Sequence, residues 1–234
     1  YCIDTFEFNL TASAGVVHYQ TSELFDFKLN LQQANIALEK STDLGGNQVH
    51  FYHQSMDDKH NEIVTIRNNL HIALKNNELE VFYQPIHNLN GNQIIGVEAL
   101  VRWSCNDEWI SPAKFIPVAE TTGQIVQVGK QVLDKVLHDI KKYSQLQNIT
   151  VAVNFSTKQI IKDNFLFDLL HLLTQNNITY NNFTVEVTES SFQEKTSIEK
   201  TLRELINSGL NVAIDDFGPG FSSLSYLANQ PANI

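Results

Sequence analysis

The feature that most constrains the fold is a series of short apolar strands that alternate with amphipathic helices along most of the chain. The strands are predicted at about residues 80–86, 94–103, 150–156, 183–189 and 210–216. Strands separated by helices form βα units around a largely parallel sheet. The pattern therefore predicts an α/β protein, either an open doubly wound sheet or a TIM-type (β/α) barrel.

The length of the chain matters for the second alternative. A complete barrel needs about 250 residues, and residues 63–234 fall well short of that. About five of the eight strands would then lie in this chain, and roughly three βα units would follow Ile234. Because Phe6 and Phe8 already follow strand alternation near the first residue, we expect a fragment of a longer protein.

The pattern divides the chain into three segments. Residues 1–53 are expected to be the tail of one α+β domain, and residues 63–234 are expected to be part of the α/β domain. The elements predicted in the first segment are a strand from Phe6 to Val17, a helix from Asn30 to Glu39 and a strand from Gln48 to Tyr52. The polar residues 54–62 form either a linker or the start of a long connecting helix that continues over Ile63 to Lys75.

Helix boundaries in the second domain follow from local signals. Ser111 and Pro112 predict a helix start, with serine as the N-cap and proline at the first helical position. The segment Thr196-Ser197-Ile198-Glu199 has the pattern of a capping box. Gly209 is expected to end that helix.

Charge and composition exclude several function classes. The formal net charge of −10 argues against binding to a nucleic acid polymer, which requires a basic face. No stretch approaches the roughly 20 apolar residues that span a bilayer, and no signal peptide precedes the first strand. Cys2 and Cys105 suggest neither a disulfide framework nor a thiolate zinc site. We expect a cytoplasmic domain, and a membrane anchor in a preceding region of the intact protein is left open.

Polar side chains recur in one phase of the predicted strands. Successive side chains of a strand point to opposite faces, and here one face of each strand is apolar and is expected to pack on helices. The opposite face carries one polar residue from each of four strands: Glu98, Asn154, Glu186 and Asp215. We expect these four side chains to meet in a shared interior, three of them near the carboxyl end of their strand.

The chemistry of this set indicates a metal site. Buried carboxylates are costly unless a cation pairs with them. Three carboxylates and an amide oxygen, with Asp216 adjacent, form an all-oxygen set that suits Mg²⁺ or Mn²⁺. Parallel α/β folds have their active sites at the carboxyl ends of the strands. For each residue taken alone, the alternative is an ordinary polar strand end that faces water.

The segment Glu98-Ala99-Leu100-Val101-Arg102-Trp103 resembles the signature that gives the EAL family its name. Further segments match the same family: Phe82-Tyr83-Gln84-Pro85-Ile86, Phe115-Ile116-Pro117-Val118-Ala119-Glu120, Val153-Asn154-Phe155-Ser156, Glu186-Val187-Thr188-Glu189-Ser190 and Asp215-Asp216-Phe217-Gly218. The resemblance extends from about residue 63 to the last residue, so it covers the whole predicted α/β domain.

The resemblance implies a bacterial phosphodiesterase that hydrolyses cyclic di-GMP to linear pGpG with two divalent metals on a modified TIM barrel. The resemblance implies that Glu98, Asn154, Glu186 and Asp215 bind one metal and that Asp215 and Asp216 contribute to the second. The catalytic set that it implies is Glu98, Asp215, Asp216 and Glu189, the last of which anchors the loop that begins at Asp216. The substrate contacts that it implies are Gln84, Leu100 and Arg102, with the arginine reaching a phosphate.

Departures from the family pattern keep a second function open. Pro219 and Phe221 replace a small polar residue and a tyrosine that are common in the loop, and proline removes an N–H donor. The family's catalytic lysine and a later metal-binding glutamate would follow Ile234, so the fragment alone is expected to be inactive. The alternative function is a degenerate EAL domain that binds cyclic di-GMP or a protein partner without cleavage. Members of this family often work as homodimers, and the upstream sensory domains are unknown.

The first segment resembles the C-terminal tail of a GGDEF domain, the cyclase fold that often precedes an EAL domain. The matching segments are Thr11-Ala12-Ser13-Ala14-Gly15, Ala34-Asn35-Ile36-Ala37-Leu38 and Gly45-Gly46-Asn47. Thr42 and Gly46 occupy positions where active cyclases carry a lysine and an arginine for the GTP phosphates. Because both charges are missing, the resemblance predicts a regulatory domain without cyclase activity.

Overall fold

The computed structural model describes residues 2–3, 6–7, 10–18, 26–91, 93–188, 195–215 and 231–232. The chain forms two compact units, Tyr1–Ile66 and Arg67–Ile234. Among the described residues, no helix combines the length and the apolar character that crossing a membrane requires.

Among its described residues, the first unit contains two small sheets, one complete helix and the first part of a second helix. Its elements are β1 (Cys2–Ile3), β2 (Phe6–Glu7), β3 (Ala14–Val16), α1 (Phe27–Asp43) and β4 (Val49–Phe51). Strand β2 pairs antiparallel with β1, whereas β3 pairs parallel with β4. The predicted single strand from Phe6 to Val17 is therefore wrong. Its two ends have different partners, and Leu10, which continued the apolar alternation, is 70% exposed.

Helix α1 begins three residues before the predicted start at Asn30, and its cap explains why. The carboxylate of Asp26 accepts hydrogen bonds from the backbone N–H groups of Lys28 and Leu29, at 2.9 and 3.1 Å. These N–H groups have no acceptor within the helix, so an aspartate N-cap stabilises the helix start. Gly15 of β3 packs so closely on α1 that a Cβ atom there would collide with the backbone of Ala34 and Leu38.

Helix α2 (Gln54–Asn76) includes the polar residues 54–62 and spans the boundary between the two units. Its last turns carry Leu70, Ala73 and Leu74, which are buried in the second unit. The side-chain amide of Gln131 donates a hydrogen bond to the carbonyl oxygen of Leu74. This contact and the apolar stripe hold the end of the helix within the second unit.

The second unit is built around one sheet. Its strands are β5 (Leu79–His87), β6 (Ile94–Cys105), β7 (Glu108–Ile110), β8 (Thr150–Asn154), β9 (Phe183–Thr188) and β10 (Asn211–Asp215). Its helices are α3 (Pro112–Thr122), α4 (Ile125–Lys142), α5 (Thr157–Ile160), α6 (Phe165–Gln175) and α7 (Lys195–Asn207). The strand order is β10-β9-β8-β6-β5, with β7 also paired to β6. All five predicted strands of this domain are confirmed to within two residues at each end.

Strand direction divides this sheet into two parts. Strands β6, β8, β9 and β10 are parallel, as the βα alternation predicts. Strand β5 is antiparallel to β6, because the two are joined by a short connection that contains Gly91 at φ 69°. A second tight turn, with Asn106 and Asp107 at φ 53° and 64°, leads from β6 into β7. Positive φ at both central residues is the geometry of a two-residue hairpin turn.

The core lies on the apolar face of the sheet. The buried strand residues include Trp103, Val151, Phe183, Val185 and Val212. Along each strand they alternate with residues whose side chains lie on the polar face. Helix α4 contributes Val128, Val132, Val136 and Ile140 at helical spacing. Burying aliphatic and aromatic side chains contributes roughly 1.5–3 kcal/mol each, so this layer holds the strands, and hence their polar faces, in register.

The helix start predicted at Ser111 and the helix end predicted at Gly209 are confirmed. Ser111 is the N-cap of α3 and Pro112 its first residue, although the serine side chain makes no capping hydrogen bond. Gly123 and Gly209 follow α3 and α7 with φ values of 75° and 92°, which glycine adopts without strain. The side chain of Thr196, and with it the predicted capping box, lies outside the described residues.

A partly buried hydrogen bond ties β5 to α4. The hydroxyl group of Tyr83 donates to the carboxylate of Asp139 at 2.8 Å. Burial, followed by this hydrogen bond, raises the pKa of Tyr83 well above its usual range. We expect Tyr83→Phe to lower the free energy of unfolding by about 1–2 kcal/mol, because Asp139 loses its donor. Urea denaturation measures this change, with Tyr180→Phe as the control, because the hydroxyl group of Tyr180 makes only an exposed hydrogen bond with Thr174. Equal stability of both variants would contradict the contact.

Candidate active site

The sheet register places the polar strand residues on one face. Asn154 of β8 lies beside Glu186 of β9, and Asp215 of β10 lies beside Thr188, which also belongs to β9. Glu98 of β6 lies two residues before the level of Asn154, because it is level with Ala152. The four polar residues, three acidic and one amide, therefore follow a diagonal across four parallel strands towards their carboxyl ends, as the alternation predicts.

A hydrogen bond connects the first two members of this diagonal. The side-chain amide nitrogen of Asn154 donates to Oε1 of Glu98 at 2.7 Å. This contact joins β6 to β8 on the polar face and fixes the orientation of both groups. Since the amide nitrogen is used here, the amide oxygen is the atom of Asn154 left to act as a ligand.

Glu186 is the clearest electrostatic anomaly of the site. Its Oε2 atom is buried and has no hydrogen-bond partner. The pKa of Glu186 is raised from 4.5 to about 7, first because the carboxyl group is buried and then because Glu98 and Asp215 carry negative charge nearby. A buried carboxylate without a compensating cation is unfavourable. A divalent cation with oxygen ligands would relieve both the burial cost and the repulsion, so these residues fit the predicted metal.

The predicted ligand set is only partly within the described residues. There, no group of three or more acidic, histidine or cysteine side chains is already arranged to hold a metal ion. Asp216 and Glu189, which follow β10 and β9 directly, lie outside the described residues, as do Pro219 and Phe221. The roles assigned to these four residues stay predictions.

A cavity of about 630 Å³ opens at this end of the sheet. The predicted site residues that line it are Glu98, Leu100, Arg102, Asn154 and Asp215. The part of its lining that comes from α3 and α4 is largely apolar and includes Ile116, Pro117, Val128 and Val132. Cavities of roughly 300–1,000 Å³ with few convergent polar groups are typical of small-molecule sites. Gln84 lies directly opposite Glu98 in the β5–β6 pair, which places it on the same face.

With Lys158, Arg102 is one of the positively charged residues that line the cavity. One of its terminal nitrogen atoms donates to the carbonyl oxygen of Val101 at 2.9 Å, and its guanidinium carbon lies 5.8 Å from the centroid of the Phe82 ring. These contacts hold the guanidinium group at the cavity while leaving other donors for an anion. The location agrees with the phosphate contact that the sequence predicts, a role that remains a proposal.

Sequence analysis did not identify the polar cluster that holds the loop after β8. Ser156 donates a hydrogen bond from its hydroxyl group to Glu120 of α3 at 2.5 Å, and Lys158 donates to the carbonyl oxygen of Glu120 at 2.9 Å. Ser156 and Gln159 form a complete capping box on α5. The spacing of serine and glutamine was a sufficient signal for this cap. The cluster fixes the chain immediately after Asn154.

The buried side chain of Gln159 also explains a glycine inside helix α4. A Cβ atom at Gly129 would collide with the side-chain amide of Gln159. Glycine costs roughly 1 kcal/mol relative to alanine in a helix interior. The close approach therefore gives Gly129 a packing role, and α4 supports the loop that follows the site residue Asn154.

The raised pKa of Glu186 makes a prediction for the metal-free protein. Because the folded-state pKa of about 7 exceeds the ordinary 4.5, the protonated form favours folding. This contribution is complete below pH 4.5 and is lost as the pH rises through 7. In EDTA, we expect stability to fall over that window by on the order of 1 kcal/mol, since solvent screens a partly exposed carboxylate. Thermal unfolding at a series of pH values measures it. An identical pH profile for Glu186→Gln would contradict the prediction.

The fold and the site together define an α/β protein with an acidic cavity at the carboxyl ends of parallel strands. Residues 67–234 match the family described as "EAL domain". The chain therefore belongs to the EAL domain family, whose fold is a TIM-like barrel. The α/β class is confirmed, whereas the number of strands in the complete barrel stays a prediction.

Relatives with assigned functions are similar to most or all of this chain. The bifunctional diguanylate cyclase/cyclic di-GMP phosphodiesterase MucR of Pseudomonas aeruginosa is 31% identical over 237 residues, which cover 100% of this chain and 34% of MucR. The cyclic di-GMP phosphodiesterase NbdA of the same organism is 31% identical over 95% of this chain and 29% of its own length. The chain thus spans about a third or less of these curated relatives.

A solved structure of the PaMucR phosphodiesterase in complex with c-di-GMP is similar to the fold. It superimposes with a TM-score of 0.66 at 33% sequence identity, and the match covers 72% of this chain and 70% of the PaMucR chain. A second structure, of the EAL enzyme Bd1971 with cAMP and cyclic di-GMP bound, has a TM-score of 0.69 at 27% identity. It covers 89% of this chain and 56% of the other.

Proposed function

We propose that the protein is a metal-dependent phosphodiesterase that hydrolyses cyclic di-GMP to linear pGpG. The observation that carries this proposal is the partnerless, buried carboxylate oxygen of Glu186, which faces the charges of Glu98 and Asp215. A cation bound near these three carboxylates would offset both the cost of burying Glu186 and the repulsion between the negative charges. The names of the relatives MucR and NbdA support cyclic di-GMP as the substrate.

The residues that would hold Mg²⁺ or Mn²⁺ are Glu98, Asn154, Glu186 and Asp215, with Asp216 and Asp215 contributing to a second ion. When bound, such a metal pair activates a water molecule and polarises the phosphodiester. The protein's own contribution is to hold its ligands before the metal arrives. The hydrogen bond from Asn154 to Glu98 sets the orientation of two of them, and preorganised ligands lose less entropy on binding.

The remaining cavity residues bind and orient the substrate. Arg102 supplies a fixed guanidinium charge for a phosphate group, and Leu100 supplies an apolar surface beside it. Gln84, opposite Glu98, adds an amide to the same face. The apolar wall from α3 and α4 excludes water from one side, which strengthens the electrostatic interactions within. Glu189 is proposed to anchor the loop that begins at Asp216.

We also infer that residues 1–53 are the C-terminal part of a GGDEF-like domain, that residues 54–62 connect the domains, and that residues 63–234 are the N-terminal part of the EAL domain. The alignment with MucR supports this organisation, because it covers the whole chain and MucR is also named a diguanylate cyclase. Thr42 and Gly46 lack the charge that binds GTP phosphates, which favours a regulatory role for this domain.

The test of the proposed activity uses the intact protein. It is incubated with cyclic di-GMP and either Mg²⁺ or Mn²⁺, and pGpG is followed by chromatography. We expect pGpG to form with metal and to be absent when EDTA is added. Binding of cyclic di-GMP without any pGpG would overturn the hydrolase in favour of the alternative, a receptor. Absence of both binding and product would overturn cyclic di-GMP as the ligand.

A further inference from the structure

Two exposed aromatic residues lie beside Arg102, which lines the cavity. Phe82 of β5 is 47% exposed and Trp109 of β7 is 56% exposed. Their rings contact each other edge-to-face, with centroids 5.5 Å apart and an interplanar angle of 72°. The site described above assigns no role to either ring as a ligand contact.

The register shows that both rings lie on the polar face of the sheet. Phe82 is opposite Leu100, and Trp109 is opposite Ser104. Along β6, Leu100 and Ser104 alternate in phase with Glu98 and Arg102, so all four share one face. Opposed residues in an antiparallel pair project to the same side. The aromatic pair therefore flanks Arg102 on the face that carries the proposed metal ligands.

Contact with Arg102 makes the pair continuous with the cavity. The guanidinium carbon lies 5.8 Å from the centroid of the Phe82 ring, and Arg102 itself lines the cavity wall. A phosphate group that binds to Arg102 would thus have an aromatic surface directly beside it. This is the arrangement that a nucleotide fits, because its base and its phosphate are neighbouring groups of the same molecule.

Packing does not require an indole at position 109. The core tryptophan of this sheet is Trp103, which is 1% exposed and contacts Phe115. Trp109 instead follows the tight turn at Asn106 and Asp107 and keeps more than half of its surface in solvent. Large exposed aromatic groups that contact a cation beside a cavity are suited to binding a flat ring.

We propose that Trp109 and Phe82 form a stacking platform for one purine base of the ligand, beside the phosphate site of Arg102. This inference rests on the proposed function for the identity of the ligand, a cyclic dinucleotide, but not on its hydrolysis. Stacking on an aromatic face tolerates any base. The platform therefore contributes affinity, and selection of guanine falls to polar groups elsewhere in the site.

The experiment measures the dissociation constant of cyclic di-GMP by isothermal titration calorimetry on the intact protein in EDTA, so that no hydrolysis occurs. The variants are Trp109→Ala, Trp109→Leu and Trp109→Phe. The matched control is Phe167→Ala, which removes a ring on α6 that is 68% exposed and does not line the cavity. Circular dichroism verifies that each variant is folded.

We expect Trp109→Ala and Trp109→Leu to weaken binding by about tenfold, whereas Trp109→Phe and Phe167→Ala bind like the wild type within about twofold. Wild-type affinity in Trp109→Ala would overturn the platform while leaving the proposed function intact. Equal weakening by Phe and Leu at position 109 would also overturn it, because the effect would then not depend on an aromatic face. A wild-type protein that does not bind cyclic di-GMP would overturn the proposed function itself.

Discussion

The Glu98→Ala substitution is expected to lower the rate of cyclic di-GMP hydrolysis by the intact protein by on the order of 10³-fold. Two losses combine at this position. The substitution removes a proposed metal ligand, and it removes the acceptor of the hydrogen bond from Asn154, which then loses its fixed orientation. Asn154, Glu186 and Asp215 alone would bind the proposed metal less tightly, and the activation of water that the metal would supply would be lost with it.

The control for this loss is Glu78→Ala. Glu78 is an exposed carboxylate just before β5, and it accepts a hydrogen bond from Asn76 at 2.7 Å. Its removal changes the net charge by the same amount without touching the cavity. We expect the control to keep wild-type activity, measured by chromatography of pGpG at saturating Mn²⁺. Wild-type turnover in Glu98→Ala would show that the site assignment is wrong.

The largest expected effect on stability comes from Trp103→Ala, which should lower the free energy of unfolding by about 3–5 kcal/mol. Trp103 is 1% exposed, and its ring packs edge-to-face on Phe115 at 5.4 Å between centroids. Its side chain packs between its own strand, β6, and helix α3. The cavity left by alanine would therefore open beneath the strand that carries Glu98 and Arg102. A loss of this size is a large fraction of the stability of a typical domain.

The second tryptophan provides the comparison. Trp109 lies on the same hairpin as Trp103 but is 56% exposed. We expect Trp109→Ala to change the free energy of unfolding by less than about 1 kcal/mol. Urea denaturation of both variants measures the difference. If the two substitutions cost the same, the buried location of Trp103 is contradicted.

The strands of the second unit could be predicted because two independent patterns coincide. Apolar alternation marks the strand length, and amphipathic segments between the strands mark the helices, so Val151, Val185 and Val212 could be assigned to the buried face. The same alternation placed Glu98, Asn154 and Glu186 on the opposite face. Period-two patterning therefore carried both the core and most of the candidate site.

Other features depend on pairing partners, which alternation does not encode. The Phe6–Val17 segment alternates like one strand, yet its two ends pair with different strands. The antiparallel direction of β5 depends on the short turn at Gly91 rather than on apolar residues. The contact of Phe82 with Trp109 requires three strands to be in register. The environment of Glu186 likewise cannot be predicted from alternation, because it depends on the proximity of Glu98 in β6 and Asp215 in β10.

The close approach of Gly129 to Gln159 has a consequence for the evolution of the site. Helix α4 and the capped turn after Asn154 share one small volume, in which a larger residue at position 129 must be matched by a shorter one at position 159. We expect these two positions to covary among homologous sequences. A pair of compensating substitutions there would move the turn after β8, and this would allow selection to adjust the position of Asn154 without replacing any ligand.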